Sequence, residues 1–198
     1  MLYVPDYVGS ESYLPNPTYA YMFNNFSFIN CTGNCFVVEL NHPYSELQNS
    51  LFHFSDDNDR KSGALVVNIF ATTFILNNAF INANSVNGTI FFNNEFFSSD
   101  ESNATIENCT FKRCFCRCFY LTSVYYNYAN YYLTNCTFQQ CSNSDEKCII
   151  CADGAVDAFR FVIDECYFVN CLDFKDGYLI KIDSTTSSFI KKPIVVSN

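Results

Sequence analysis

The chain has 198 residues, is 49% hydrophobic and carries a formal charge of -9. That length suits one domain with a sizeable core, and that composition excludes a disordered chain. The charge argues against nucleic-acid binding, which needs clustered Lys or Arg at the phosphates, and no apolar run approaches the ~20 residues of a membrane-spanning helix.

Residues 1–21 contain Pro5, Pro15 and Pro17 and read as an N-terminal cap or an irregular segment. The opening "MLYVPDYVGSES" has neither the basic nor the apolar region of a secretory leader. The expectation is a cytoplasmic protein if the chain is complete, or a cell-surface or extracellular one if it is part of a longer product.

From residue 22 two short frames alternate. The first reads "FNNFSF" ending at Phe28, "LQNSLF" at Phe52, "ILNNAF" at Phe80, "IENCTF" at Phe111, "LTNCTF" at Phe138 and "IDECYF" at Phe168. The anchoring Phe residues are 24, 28, 31, 27 and 30 positions apart. The second frame opens on a Cys or Gly before an apolar run, from Cys35, Gly63, Gly88, Cys118, Cys148 and Gly177. Two anchors sharing one period mark an internal repeat over 22–183. Residues 184–198 read as a C-terminal tail.

Three columns run through the first frame. An apolar residue stands five before the Phe: Phe23, Leu47, Ile75, Ile106, Leu133 and Ile163. Asn stands three before it at Asn25, Asn49, Asn77, Asn108 and Asn135, with Glu165 as the exception. A small residue stands three after it: Cys31, Ser55, Ala83, Cys114, Cys141 and Cys171. Ankyrin, tetratricopeptide and leucine-rich units need helix formers or a Leu lattice that this chain lacks. Short runs rich in aromatic and β-branched residues, broken by Asn, Gly and Ser, fit strands.

The expected fold is all-β: a right-handed, single-stranded parallel β-helix, or solenoid, of about six coils. In each copy Ile106 and its equivalents point inward. Asn108 bends the chain in the left-handed region that Asn tolerates. Cys109 and Phe111 then point inward and Thr110 outward. Stacked coils place Phe on Phe about 4.8 Å apart and let Asn amides bond along the stack.

This pattern resembles the right-handed β-helix repeat family, especially the polymorphic outer-membrane-protein type with its paired FxxN and GGA[IL] elements. Here "FKRC", "FQQC", "FVNC" and "FINC" stand at FxxN, and "SGAL" (Ser62 to Leu65) is nearest to GGA[IL]. The Cys- and Asn-rich "NCTF" units look like those of protist surface proteins. The resemblance implies a non-catalytic structural or binding module of a surface or secreted protein, engaged in adhesion and in glycan or protein contact. Enzymes of the β-helix fold imply the alternative, a carbohydrate-active lyase or hydrolase.

No catalytic, cofactor or metal site is expected from the residues. Ten of the 12 cysteines occupy repeat columns, where a small apolar thiol fills a narrow core; free buried thiols are the first reading and disulfides the second. A zinc site from Cys114, Cys116, Cys118 and a neighbour has a one-residue spacing unlike the usual knuckle. The sequons at Asn25, Asn108 and Asn135 belong to the Asn column, whereas those at Asn87 and Asn103 fall in expected loops. His42 and His53 sit in no catalytic frame. What does not repeat offers surface binding: the acidic loop with Asp56, Asp57 and Asp59, and the tyrosine run with Tyr125, Tyr126, Tyr128 and Tyr131.

Overall fold

Short runs of mixed polar and apolar residues form strands, and burial alternates along Leu51–Phe54, Ala79–Ile81, Thr110–Lys112 and Thr137–Gln139. The computed structural model describes residues 2–4, 20–31, 36–39, 44–54, 61–62, 65–68, 72–85, 89–94, 102–115, 117–123, 129–142, 148–153, 159–171, 178–183, 188–190 and 195–197. Among them there is no helix.

Three parallel sheets of seven strands each carry the fold. Sheet I holds Leu2–Val4, Phe36–Glu39, Leu65–Asn68, Ile90–Asn94, Phe119–Ser123, Cys148–Asp153 and Tyr178–Asp183. Sheet II holds Ala20–Asn24, Tyr44–Gln48, Thr72–Leu76, Ser102–Glu107, Ala129–Thr134, Phe159–Asp164 and Ser188–Ile190. Sheet III holds Ser27–Cys31, Leu51–Phe54, Ala79–Ile81, Thr110–Lys112, Thr137–Gln139, Tyr167–Val169 and Val195–Ser197. The chain visits I, II and III in turn, and each strand pairs with the one a full circuit earlier. A two-stranded antiparallel pair, Lys61–Ser62 with Asn84–Ser85, lies apart from them.

Among the described residues there are seven circuits, one more than the six Phe anchors suggested. Pairing runs past 22–183 at both ends: Leu2–Val4 pairs with Phe36–Val38, and Val196 pairs with Phe168. The last circuit escapes the repeat because Val stands in the Phe column, and because Ile190, which pairs with Ile163, is six residues before Val196 instead of five.

The Phe column is in register throughout: Phe28, Phe52, Phe80, Phe111, Phe138 and Phe168 pair in succession. Their ring centroids are 5.1, 5.1, 5.1, 4.9 and 4.7 Å apart, and the rings are tilted by no more than 16°. This spacing is the strand separation itself, so backbone pairing imposes the stack. Phe52 through Phe168 are buried and Phe28 is half-buried. The apolar column pairs likewise, with Ile106 between Ile75 and Leu133.

The Asn column marks the bend from sheet II to sheet III. Asn25, Asn49, Asn77, Asn108 and Asn135 have φ of 60, 53, 55, 54 and 50°, and Glu165 has 52°. The left-handed region costs a residue with a Cβ unless, like Asn, it bonds locally. Glu165→Asn is therefore expected to raise the unfolding free energy by on the order of 0.5–1 kcal/mol, read from denaturant midpoints; a loss of stability would contradict the assignment. A second left-handed column follows the Phe by two: Asn30, Asn82, Arg113, Gln140 and Asn170, with φ from 52 to 60°. The second circuit lacks this bend, and the register shifts so that Phe54, not Ser55, faces Cys31. Ser55 itself lies outside the described residues.

The Asn ladder is shorter than expected. The column is exposed, and one direct rung joins two of its members, Asn135 Nδ2 donating to Asn108 Oδ1 at 2.6 Å. Asn49 instead donates to Asn24 at 3.0 Å, and Asn108 turns to Glu107 at 3.4 Å. Asn103 lies in a strand, not a loop, and accepts from Asn130 at 3.0 Å.

Candidate functional site

Beside each bend, cysteine side chains donate to backbone carbonyls of the preceding circuit. The thiols two before the Phe donate to the apolar column one circuit back: Cys109 to Ile75 O at 3.4 Å, Cys136 to Ile106 O at 3.7 Å and Cys166 to Leu133 O at 3.6 Å. Asn78 holds the equivalent place one circuit before Cys109 and donates through Nδ2 to Leu47 O at 2.9 Å. The thiols three after the Phe do the same at the second bend. Cys114 reaches Phe80 O at 3.6 Å, Cys141 reaches Phe111 O at 3.3 Å and Cys171 reaches Phe138 O at 3.2 Å.

At the corner between sheets III and I, Cys118 faces the second of these columns. The Sγ atoms of Cys114, Cys118 and Cys141 lie within 4.8 Å of one another, and all three residues are buried. Cys114 and Cys141 come from consecutive circuits, and Cys118 opens the strand Phe119–Ser123 of sheet I. Thr89, fully buried, hydrogen-bonds the Cys114 sulfur.

The cluster shares its protons unevenly. Burial would raise the Cys114 thiol, but hydrogen bonds from Cys118, Cys141, the Ala83 backbone and Thr89 hold it well below the ordinary thiol value. Cys141 is pushed well above that value by burial and by its bonds with Cys114, Cys118 and Cys171. At its far side, the hydrogen bond from Cys141 outweighs burial and lowers Cys171 to about 7. In the other column, burial and the bonds to Cys109 and Cys166 raise Cys136, and the bond from Cys136 lowers Cys166 against burial. A cluster with one sulfur ready to lose its proton and neighbours able to donate can ligate a soft cation or react as a nucleophile. Its burial denies it to large electrophiles.

Among the described residues, Cys109, Cys114, Cys118, Cys136, Cys141, Cys166 and Cys171 form no disulfide. A disulfide joins Cys148 to Cys151 within one strand, across Cα atoms 6.0 Å apart. Cys148 does not stack on Cys118 as the second frame suggested. Pairing of Phe119 with Ile150 sets that strand one residue out of step, and Ile149 takes the place on Cys118.

Tyr131 points into the core, 2% exposed, with its ring edge-on to Phe119 at 6.4 Å and Phe161 at 6.5 Å; it is not a surface residue. Tyr125, Tyr126, Tyr128, Asp56, Asp57, Asp59, His42, Asn87 and Cys116 lie outside the described residues. His53 is half-buried, its Nε2 3.3 Å from the Asn82 amide nitrogen. The structure brings Cys114 and Cys118 of the weighed thiol set together with Cys141, and Cys116 lies outside the described residues. Spacing along the chain could not reveal this, because the partner stands one circuit away. The signal that was present is the column itself: Cys141 occupies the position of Cys114 in the next copy.

No family model, curated protein or solved structure matches the chain. Among the described residues no helix is long and apolar enough to cross a membrane.

Proposed function

We propose that the chain is a right-handed parallel β-helix and serves as a non-catalytic structural or binding module of a surface or secreted protein, in contact with glycan or protein. The supporting observation is the in-register return of the Phe column and of the apolar column. The chain comes back to pair with itself in each of three parallel sheets, circuit after circuit. Parallel strands joined by crossovers in one sheet are right-handed in about 98% of cases, which sets the hand. A chain arranged this way commits its inward side chains to packing and leaves recognition to its outer faces and connecting segments. The resemblance to the polymorphic outer-membrane-protein type supports the same reading.

Recognition is assigned to the non-repeating segments, the tyrosine run at Tyr125, Tyr126 and Tyr128 and the acidic run at Asp56, Asp57 and Asp59. Exposed tyrosines stack on sugar rings and anchor protein partners. On a glycan array the chain is expected to bind, and Tyr125→Ala with Tyr128→Ala is expected to weaken that signal at least tenfold. Incubation with polygalacturonate and related polysaccharides is expected to release neither new reducing ends nor unsaturated products. Turnover in that assay would move the chain to the β-helix carbohydrate-active enzymes.

A further inference from the structure

We propose that Cys114, Cys118 and Cys141 form a three-sulfur site for a single soft cation, monovalent copper. The three Sγ atoms are mutually within 4.8 Å, and they come from two circuits and two sheets. A triangle of that side has its centre at most about 2.8 Å from each sulfur, so an inward shift of roughly 0.5 Å reaches metal–thiolate bonding distance, about 2.3 Å for zinc. Rotation about the Cα–Cβ bonds supplies a shift of that size without moving the strands.

The donor set selects the ion. Thiolates favour soft metals, and hard cations such as calcium or magnesium require oxygen ligands. Zinc takes four ligands in structural sites, whereas among the described residues this cluster offers three sulfurs. Three-coordinate sulfur ligation in a dry pocket suits a closed-shell monovalent ion with no demand for a fourth ligand. Each thiol that ligates gives its proton to solvent. Cys171 hydrogen-bonds Cys141 from outside this set.

The same residues also explain why a metal would matter to the fold. Cys118 is covalently tied to sheet I, and Cys114 and Cys141 follow consecutive strands of sheet III. One ion would clamp that corner across two circuits. Because the site is enclosed, loading is expected as the chain folds.

The test uses the full chain, refolded without oxygen in the presence of Cu(I), with loosely held metal then removed by a competing chelator. Copper per chain is measured, and X-ray absorption counts the sulfur neighbours. The expected result is one copper with three sulfurs. Cys118→Ser is expected to lower copper affinity at least tenfold and the sulfur count to two, whereas Cys136→Ser, in the other thiol column, retains one copper with three sulfurs. A folded wild-type chain that retains no copper overturns the proposal, and this arm needs no variant to fold. Retention unaffected by Cys118→Ser also overturns it, as does preferential uptake of zinc with four ligands in a parallel refolding.

Discussion

Phe111→Ala is expected to lower the unfolding free energy by about 3–5 kcal/mol, the range for emptying a well-packed aromatic site. Phe111 is fully buried, and its ring lies between Phe80 at 5.1 Å and Phe138 at 4.9 Å. Both neighbours are held by strand pairing, so neither can move in to fill the gap. The cost therefore includes the cavity as well as the lost transfer of the ring. Phe28→Ala, at the half-buried end of the same column, is expected to cost less than half as much. Urea-induced unfolding of both variants measures the contrast. Equal losses, or a negligible loss at Phe111, would mean that the rings do not form one continuous stack.

The second large effect is expected at Asn78. Its Nδ2 donates to Leu47 O at 2.9 Å, and its Oδ1 accepts from the Ser50 backbone N–H at 2.8 Å. Asn78 and Ser50 are both buried. Asn78→Ala removes both bonds and leaves two backbone groups without these partners, at roughly 1–3 kcal/mol apiece; a total of about 2–4 kcal/mol is expected after partial relaxation. Asn78→Cys restores the residue type found in the same column at Cys109 and Cys136. It keeps a donor for Leu47 O but offers Ser50 no comparable acceptor, so it should recover part of the loss. If Asn78→Cys is no more stable than Asn78→Ala, the thiols of the column are not acting as donors.

The columns and the all-β class were legible because stacking repeats a residue type wherever it repeats an environment. Phe stacks on Phe from Phe28 to Phe168, and an apolar residue on Ile106. Alignment even located the bend at Glu165, where the Asn is missing, since its neighbours Ile163, Cys166 and Phe168 kept their places. The second bend was missed although Asn30, Asn82 and Asn170 carry the same residue there, because Arg113 and Gln140 interrupt that column in the two adjacent copies with the clearest repeat. The one-residue slip at Cys148 was hidden for another reason. Ile149 and Ile150 are both apolar and both buried, so composition does not say which of them begins the strand pairing. The thiol triangle depended on a fact no single copy contains, that the residue opening sheet I faces the column closing sheet III across the interior. The segments read as recognition surfaces, around Asp57 and Tyr126, have no counterpart in other copies, and a method that works by comparison has nothing to compare there.

The in-register pairing has one more consequence. Seven strands at about 4.8 Å make each parallel sheet roughly 29 Å wide, and every interior circuit meets nearly the same pair of neighbours. Such a molecule can be lengthened or shortened in whole units. Excising one period, such as the 27 residues from Cys109 to Asn135, would rejoin Asn108 to Cys136. It would remove one strand's width from each sheet and bring Phe80 onto Phe138 with every column intact. Length in this protein is a quantity that gene duplication can count out.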